Sequence, residues 1–169
     1  EPESEVYDFT TGPGTDIYYK ASWVPHTLRG LIGDDAFWRA TRRLVYGRPD
    51  PLPGNFQPRF GSTDEFVAIA SQEAHQDLRW FFNVYLRQAR LPRLVARRKG
   101  YTLFLQWKTP RGLPFPMPVD VDVDGKRQVV PMTAGHGSLT LPSWYSQVTL
   151  DPESKILRQS DEIDGDRVD

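Results

Sequence analysis

Apolar residues at Ile17, Ala21, Val24, Leu28 and Leu31 step by four, three, four and three, the period of one buried helical face. Gly33 is a natural stop for that helix. Pro25 interrupts the stripe. A proline inside a helix removes a hydrogen bond and crowds the preceding turn, at a cost of about 3 kcal/mol, so the helix is predicted either to kink at Pro25 or to begin near it. Asp34 and Asp35 then lead into Phe37, Trp38, Thr41, Leu44 and Val45, with Arg39, Arg42 and Arg43 on the other side. This is a second amphipathic helix, with its acids at the dipole-favoured end and its stop near Tyr46-Gly47. Ser62-Thr63-Asp64-Glu65 has the form of a capping box opening a third helix through Phe66, Ile69 and Ala70. Asp77 opens a fourth, whose stripe is Leu78, Phe81, Phe82, Tyr85 and Leu86.

After Pro92 the period shortens to two. Residues 101–107, 119–123, 127–130, 138–141 and 147–150 alternate or are rich in β-formers, and turn signals such as Asp124-Gly125 and Gly135-His136-Gly137 separate them. Asp124-Gly125 predicts a type I′ hairpin, because both residues tolerate the positive φ that this turn requires. The fold class expected is therefore α+β: four helices followed by a small antiparallel β-sandwich. The division is an irregular acidic lead-in over 1–16, a helical subdomain over 17–91, the sandwich over 92–158 and a polar tail over 159–169. Between the second and third helices, Pro49, Pro51, Pro53, Gly54 and Pro58 exclude regular structure and predict a stiff surface loop.

Charge narrows the partners. The chain has 21 Lys and Arg against 22 Asp and Glu, which gives no electrostatic reason to expect nucleic acid or an acidic membrane. No apolar run approaches the length of a membrane helix, and the acidic start is unlike a signal peptide, so the chain reads as soluble with its compartment left open. The absence of cysteine removes thiolate nucleophiles, disulfides and Cys-based zinc sites together.

His26, His75 and His136 fall in no metal-ligand spacing. Glu73 and His75, two apart on a helix, point to different faces and make no site. No Walker loop, GxSxG or GxGxxG occurs. Trp23, Trp38, Trp80, Phe81, Phe82 and Trp107 read as core, Trp144 and Tyr145 as exposed in a loop, and Arg39, Arg42, Arg43, Arg97, Arg98 and Lys99 as solvated faces. Tyr18, by position alone, is an aromatic at a helix start that packs on the core.

Several short motifs recur in a fixed order: Tyr18-Tyr19-Lys20-Ala21-Ser22, Leu28-Arg29, Gly33-Asp34-Asp35-Ala36-Phe37, Ser62-Thr63-Asp64-Glu65-Phe66 and Asp77-Leu78-Arg79-Trp80-Phe81-Phe82. In that order, over residues 17 to about 90, the chain resembles the region downstream of the zinc motif in the aminopeptidase N family of gluzincin metallopeptidases. There the run is Tyr-x-Lys-Gly-Ala, a long helix with Leu-Arg, Gly-Glu-x-x-Phe, Thr-x-Asp-Phe, and Asp-Leu-x-Trp-Phe-Phe. A β-rich domain follows the helical catalytic domain in that family as well. Ala21 stands where glycine is usual, and Pro25 where leucine or a similar residue is expected.

The resemblance implies a role for Tyr18. The matching tyrosine in the family hydrogen-bonds the oxyanion formed when zinc-bound water attacks a peptide carbonyl, and donors of this kind contribute about 2.7 to 4 kcal/mol. It also implies that the HExxH histidines, the downstream glutamate ligand, the general-base glutamate and the strand holding the substrate's amino group lie upstream of the residues present here. The zinc therefore belongs to the intact enzyme, its ligands are not in this chain, and none is expected to bind here. The implied partners are that zinc-bearing portion and a peptide substrate, and the chain alone is expected to be inactive and to self-associate through the surface left uncovered. The competing expectation is a non-catalytic interaction or ligand-binding module built from the same helices and sandwich.

Overall fold

A computed structural model describes residues 18–52, 54 and 59–159. The acidic lead-in and all of the polar tail after Gln159 lie outside them, as does Ile17. Four helices come first: α1 (Tyr19–Ile32), α2 (Asp34–Tyr46), α3 (Thr63–Glu73) and α4 (Arg79–Tyr85). Six strands follow: β1 (Arg93–Lys99), β2 (Thr102–Lys108), β3 (Val119–Val123), β4 (Lys126–Val130), β5 (His136–Thr140) and β6 (Val148–Leu150). They form two antiparallel three-stranded sheets, ordered β1-β2-β5 and β4-β3-β6. The α+β arrangement expected from the change of period is the one observed.

Helix α1 runs through Pro25 rather than beginning there. The carbonyl that Pro25 cannot serve is that of Ala21, an exposed residue, where water can accept the role of donor. Gly47 ends α2 in the left-handed region, at φ 74°, a conformation that costs glycine no Cβ clash. Ser62 caps α3 by accepting from the Glu65 amide, as the capping box predicted. Asp77 accepts the Arg79 amide at 2.9 Å at the start of α4. The Asp124-Gly125 turn has φ of 51° and 80°, and the Gly125 amide donates to Asp122 Oδ1 at 2.8 Å.

Strand β1 has no counterpart among the strands that the sequence pattern predicts. Its Leu94 and Ala96 face inward, but the next inward position is Arg98, whose charge breaks the alternation. The structure accommodates it: the Arg98 guanidinium donates to the carbonyls of Trp144 and Ser146 at 2.8 and 2.7 Å. Arg98 is thus a tether for the β5–β6 loop and not a solvated residue. The same correction applies to Arg39 and Arg43, which grip the Glu73 carboxylate at 2.7 Å each and pin α2 to α3. Trp23 and Trp38, expected in the core, are 41% and 46% exposed. Each ring finds a local partner instead, Trp23 edge-on to His26 at 5.2 Å and Trp38 under the Arg29 guanidinium at 5.5 Å. Trp144 and Tyr145 are exposed, as read from the loop.

A single buried cluster runs from Val24 and Leu28 of α1 to Ile156 and takes in the inward faces of both sheets. Its spine is a set of mostly edge-to-face aromatic contacts. Phe66 meets Phe82, Phe82 meets Phe81, Phe81 meets Tyr85, Tyr85 meets Phe115, and Phe115 meets Trp107, with centroids 4.7 to 5.6 Å apart. Such pairs add about 0.5–1.5 kcal/mol each beyond area burial. In β5, Gly137 is required by space: a Cβ there would sit 2.8 Å from the Pro131 carbonyl oxygen.

The segment after β6 closes this core. Asp151, at φ 47°, accepts the amides of Lys155 and Ile156 at 2.9 and 3.0 Å, and its burial raises the carboxyl above the usual range. The chain then passes between α1 and α4. There the Leu157 amide donates to Thr27 Oγ1 at 2.9 Å, and the Leu157 carbonyl accepts from the Tyr85 hydroxyl at 2.7 Å. Burial pushes the Tyr85 phenol far above its ordinary range, so it remains a donor throughout the working pH range.

Two stability outcomes follow. Tyr85→Phe leaves the part-buried Leu157 carbonyl without its donor and should lower unfolding stability by about 1 kcal/mol, measured by urea denaturation, with Thr27→Val costing a similar amount through the amide of the same residue. Arg39 and then Arg43 hold Glu73 below its ordinary pKa of 4.5, so their contribution is present above that value and is lost as pH falls through the lower folded value. Glu73→Gln should therefore destabilise by about 1 kcal/mol at neutral pH, and the difference from the parent chain should shrink in denaturation curves taken below pH 4.5.

Candidate functional site

The Tyr18 motif lies at the start of α1, and Lys20 has a different duty from the two tyrosines before it. Lys20 turns toward the fold, where its Nζ donates to the Gln88 carbonyl just beyond α4 at 2.7 Å. Tyr18 and Tyr19 turn away and are 69% and 70% exposed. Tyr18 does not pack on the core, which corrects the reading from its position alone: the buried side of α1 is Val24, Thr27 and Leu28, and Tyr18 precedes the first turn that reaches it. Its phenol has no hydrogen-bond partner among the described residues.

Further along the helix the exposed side continues with Trp23 and His26. The Ser22 hydroxyl is occupied locally, donating to the Tyr19 carbonyl at 2.9 Å. The result is a partly aromatic surface presented on the first turns of a helix that Lys20 and Thr27 hold at both sides. A phenol so placed can donate a hydrogen bond to an oxygen brought to it from outside the described residues.

Among the described residues no group of three or more His, Cys, Asp or Glu side chains comes together as a metal site. The donor set beside Tyr18 consists of phenols, an indole, a hydroxyl and one imidazole, which does not fit the zinc coordination implied by the motif resemblance. His75 lies past the end of α3 at φ 52°, and His136 sits on β5 with its Nδ1 3.1 Å from the Ala134 carbonyl oxygen.

Open grooves on the helical part include two that Tyr18 does not line. One, about 650 Å³, runs between α3 and α4 and is floored by Val67, Ala68 and Phe82. Its rim is charged but self-paired: Arg79 with Asp77 and Arg87 with Asp64. The Arg79 guanidinium and amide hold the Asp77 carboxyl down to about 2. The other, about 560 Å³, lies beside the end of α2 and includes Leu44, Arg59 and Phe66. Arg59 there caps the helix, donating to the carbonyls of Arg43 and Leu44 and pairing with Glu65.

Four helices leading into two small antiparallel sheets, with a tyrosine exposed at the entrance of the first helix, define the class of structure for comparison. No protein-family model matches the chain, and no curated protein matches it by sequence. Among solved structures, the fold is similar to part of Legionella pneumophila aminopeptidase A, crystallised in complex with aspartic acid. The TM-score is 0.60 at 14% sequence identity, over 81% of this chain and 17% of that one. The chain thus spans under a fifth of the length of this neighbour, and at this identity the likeness is one of fold.

The sequence alone does not show what Lys20 and Thr27 do. Lysine in a Tyr-x-Lys run looks like a motif letter, and threonine in an apolar stripe looks like a flaw; both are answers to backbone groups of residues far along the chain. Tyr18→Phe should leave the melting temperature within about 1 °C, as expected of an exposed side chain with no partner. Lys20→Met should lower it measurably, as scanning calorimetry of the two variants would show.

Proposed function

We propose that this chain corresponds to the C-terminal region of a zinc aminopeptidase of the aminopeptidase N family, in which it completes the helical wall of the substrate cleft and presents Tyr18 to the reacting carbonyl. The observation that carries this reading is the position of Tyr18. The ordered motifs of residues 18–82 single it out, and at the exposed start of α1 its hydroxyl has no partner among the described residues, on an architecture similar to part of an aminopeptidase.

Water attacking a peptide carbonyl places negative charge on the former carbonyl oxygen. A phenol O–H held in place by a folded helix donates to that oxygen as the charge develops, and it stabilises the transition state more than the ground state. The side chain needs no ionisation for this task; it needs position, which Lys20 supplies by fixing the first turn of α1 to the carbonyl of Gln88. Among the described residues no cluster of metal-ligating side chains forms, and in this reading the zinc and its ligands belong to a portion outside this sequence. The exposed Tyr19 and Trp23 are then surface that the portion covers.

The first test is the coding sequence upstream of Glu1, where the proposal expects HExxH followed by a further glutamate. In the protein that joins both parts, Tyr18→Phe should lower kcat for an aminoacyl anilide by about 10²–10³-fold with little change in KM, and the melting temperature should be unchanged. The present chain alone should show no turnover. Chelator-sensitive hydrolysis by this chain, or a Tyr18→Phe enzyme of full kcat, overturns the proposal. Absence of a zinc motif upstream would favour the interaction-module reading.

A further inference from the structure

We infer that the outer face and free edge of the first sheet form a docking surface for an acidic polypeptide segment, which adds to β1 as an extended strand. The observation is a segregation of charge that the near-neutral total conceals. Residues 93–111 contain Arg93, Arg97, Arg98, Lys99, Lys108 and Arg111 and no acid. Pairing then sorts them. Arg93 lies opposite Lys108, Arg97 opposite Phe104, and Lys99 opposite Thr102, so four of these cations share the face that points away from Leu103, Leu105 and Trp107. Side chains two apart on one strand are about 6.5–7 Å apart and neighbouring strands about 4.8 Å, which concentrates this charge on one small surface.

The outer face of the second sheet is built differently. There Asp120 pairs with Lys155, and Arg127 and Lys155 with Glu153, so charge is neutralised within the fold. On the first sheet Arg97, Lys99 and Lys108 have no acidic partner among the described residues. Phe104, 48% exposed, lies among them and offers an apolar contact to an incoming strand.

The edge of the sheet decides what kind of anion fits. β1 is the outer strand in the order β1-β2-β5. Among the described residues its outward backbone groups are paired at the start, where the Gln159 amide donates to the Pro92 carbonyl at 2.9 Å and Gln159 bridges Arg93 in parallel. From Leu94 to Lys99 the edge is open among the described residues. An edge that already accepts one residue of backbone pairing, flanked by cations at alternate positions, matches an extended peptide with acids at alternate positions: the main chain supplies the pairing and the charges set the register. A nucleic acid would meet the charge but leave the edge unused, and Phe104 is a single stacking ring.

The probe is a fluorescent peptide of alternating glutamate and threonine, titrated into the full chain at low ionic strength and followed by anisotropy, with hydrogen exchange of the β1 amides as a second readout. The expected result is saturable binding that slows exchange in Val95–Lys99 and weakens at physiological salt. Combining Arg97→Glu, Lys99→Glu and Lys108→Glu should weaken it about tenfold or more, with the melting curve confirming that the variant is folded. No binding, binding unaffected by the triple variant, or binding without protection of β1 overturns the inference. Binding of a single-stranded oligonucleotide in place of the peptide would also overturn it.

Discussion

Both backbone polar groups of Leu157 are held by side chains from two different helices, and this clamp joins the parts of the molecule. The segment carrying Leu157 leaves the second sheet and passes between α1 and α4, where the threonine hydroxyl of Thr27 and the phenol of Tyr85 take its amide and carbonyl. A peptide group taken partly out of water without a partner loses hydration and gains no bond in return. The position of α1 relative to the sheets is thus constrained by hydrogen-bond satisfaction, while the aromatic contacts from Phe66 to Trp107 supply apolar burial along the same path. Tyr85 belongs to both systems, with its ring against Phe81 and Phe115 and its hydroxyl on Leu157.

That arrangement explains how an exposed tyrosine can still be a positioned one. α1 is buried on the side of Val24, Thr27 and Leu28 and fastened at its first turn by Lys20, so its opposite side is held still without being covered. Tyr18, Tyr19 and Trp23 project from it. A hydrogen-bond donor used in catalysis gains from this combination, since reorientation during the reaction has already been limited by the fold. The likeness to a stretch of aminopeptidase A is one of fold.

Charge on the molecule follows the same division between groups that the fold uses and groups it leaves outward. Arg39, Arg43, Arg59 and Arg98 all end on carboxylates or carbonyls that fasten one element to another. Arg97 and Lys99, neighbours of Arg98 in sequence, point to the opposite side of β1 and fasten nothing among the described residues. The pleat alone separates these duties, because successive side chains of a strand alternate between faces.

Residue by residue, the sequence was most informative where local chemistry settles the conformation. The capping box at Ser62, the acids opening α2, the glycine ending it and the Asp124-Gly125 turn depend on atoms within a few positions of one another, and the change from helical to two-residue period marked the α+β order. It was least informative where a residue answers a distant group. Thr27 and Lys20 satisfy backbone atoms of Leu157 and Gln88; β1 hid behind the inward-facing Arg98; and Trp23 and Trp38 were assigned to the core by their size and spacing although the described fold covers neither. Tyr18 could be singled out by motif order, but its exposure could not, since nothing in the surrounding residues states which side of α1 meets the core. Periodicity and capping are short-range properties written into neighbouring residues, whereas burial, pairing and presentation are decided by elements that meet only after the chain has folded.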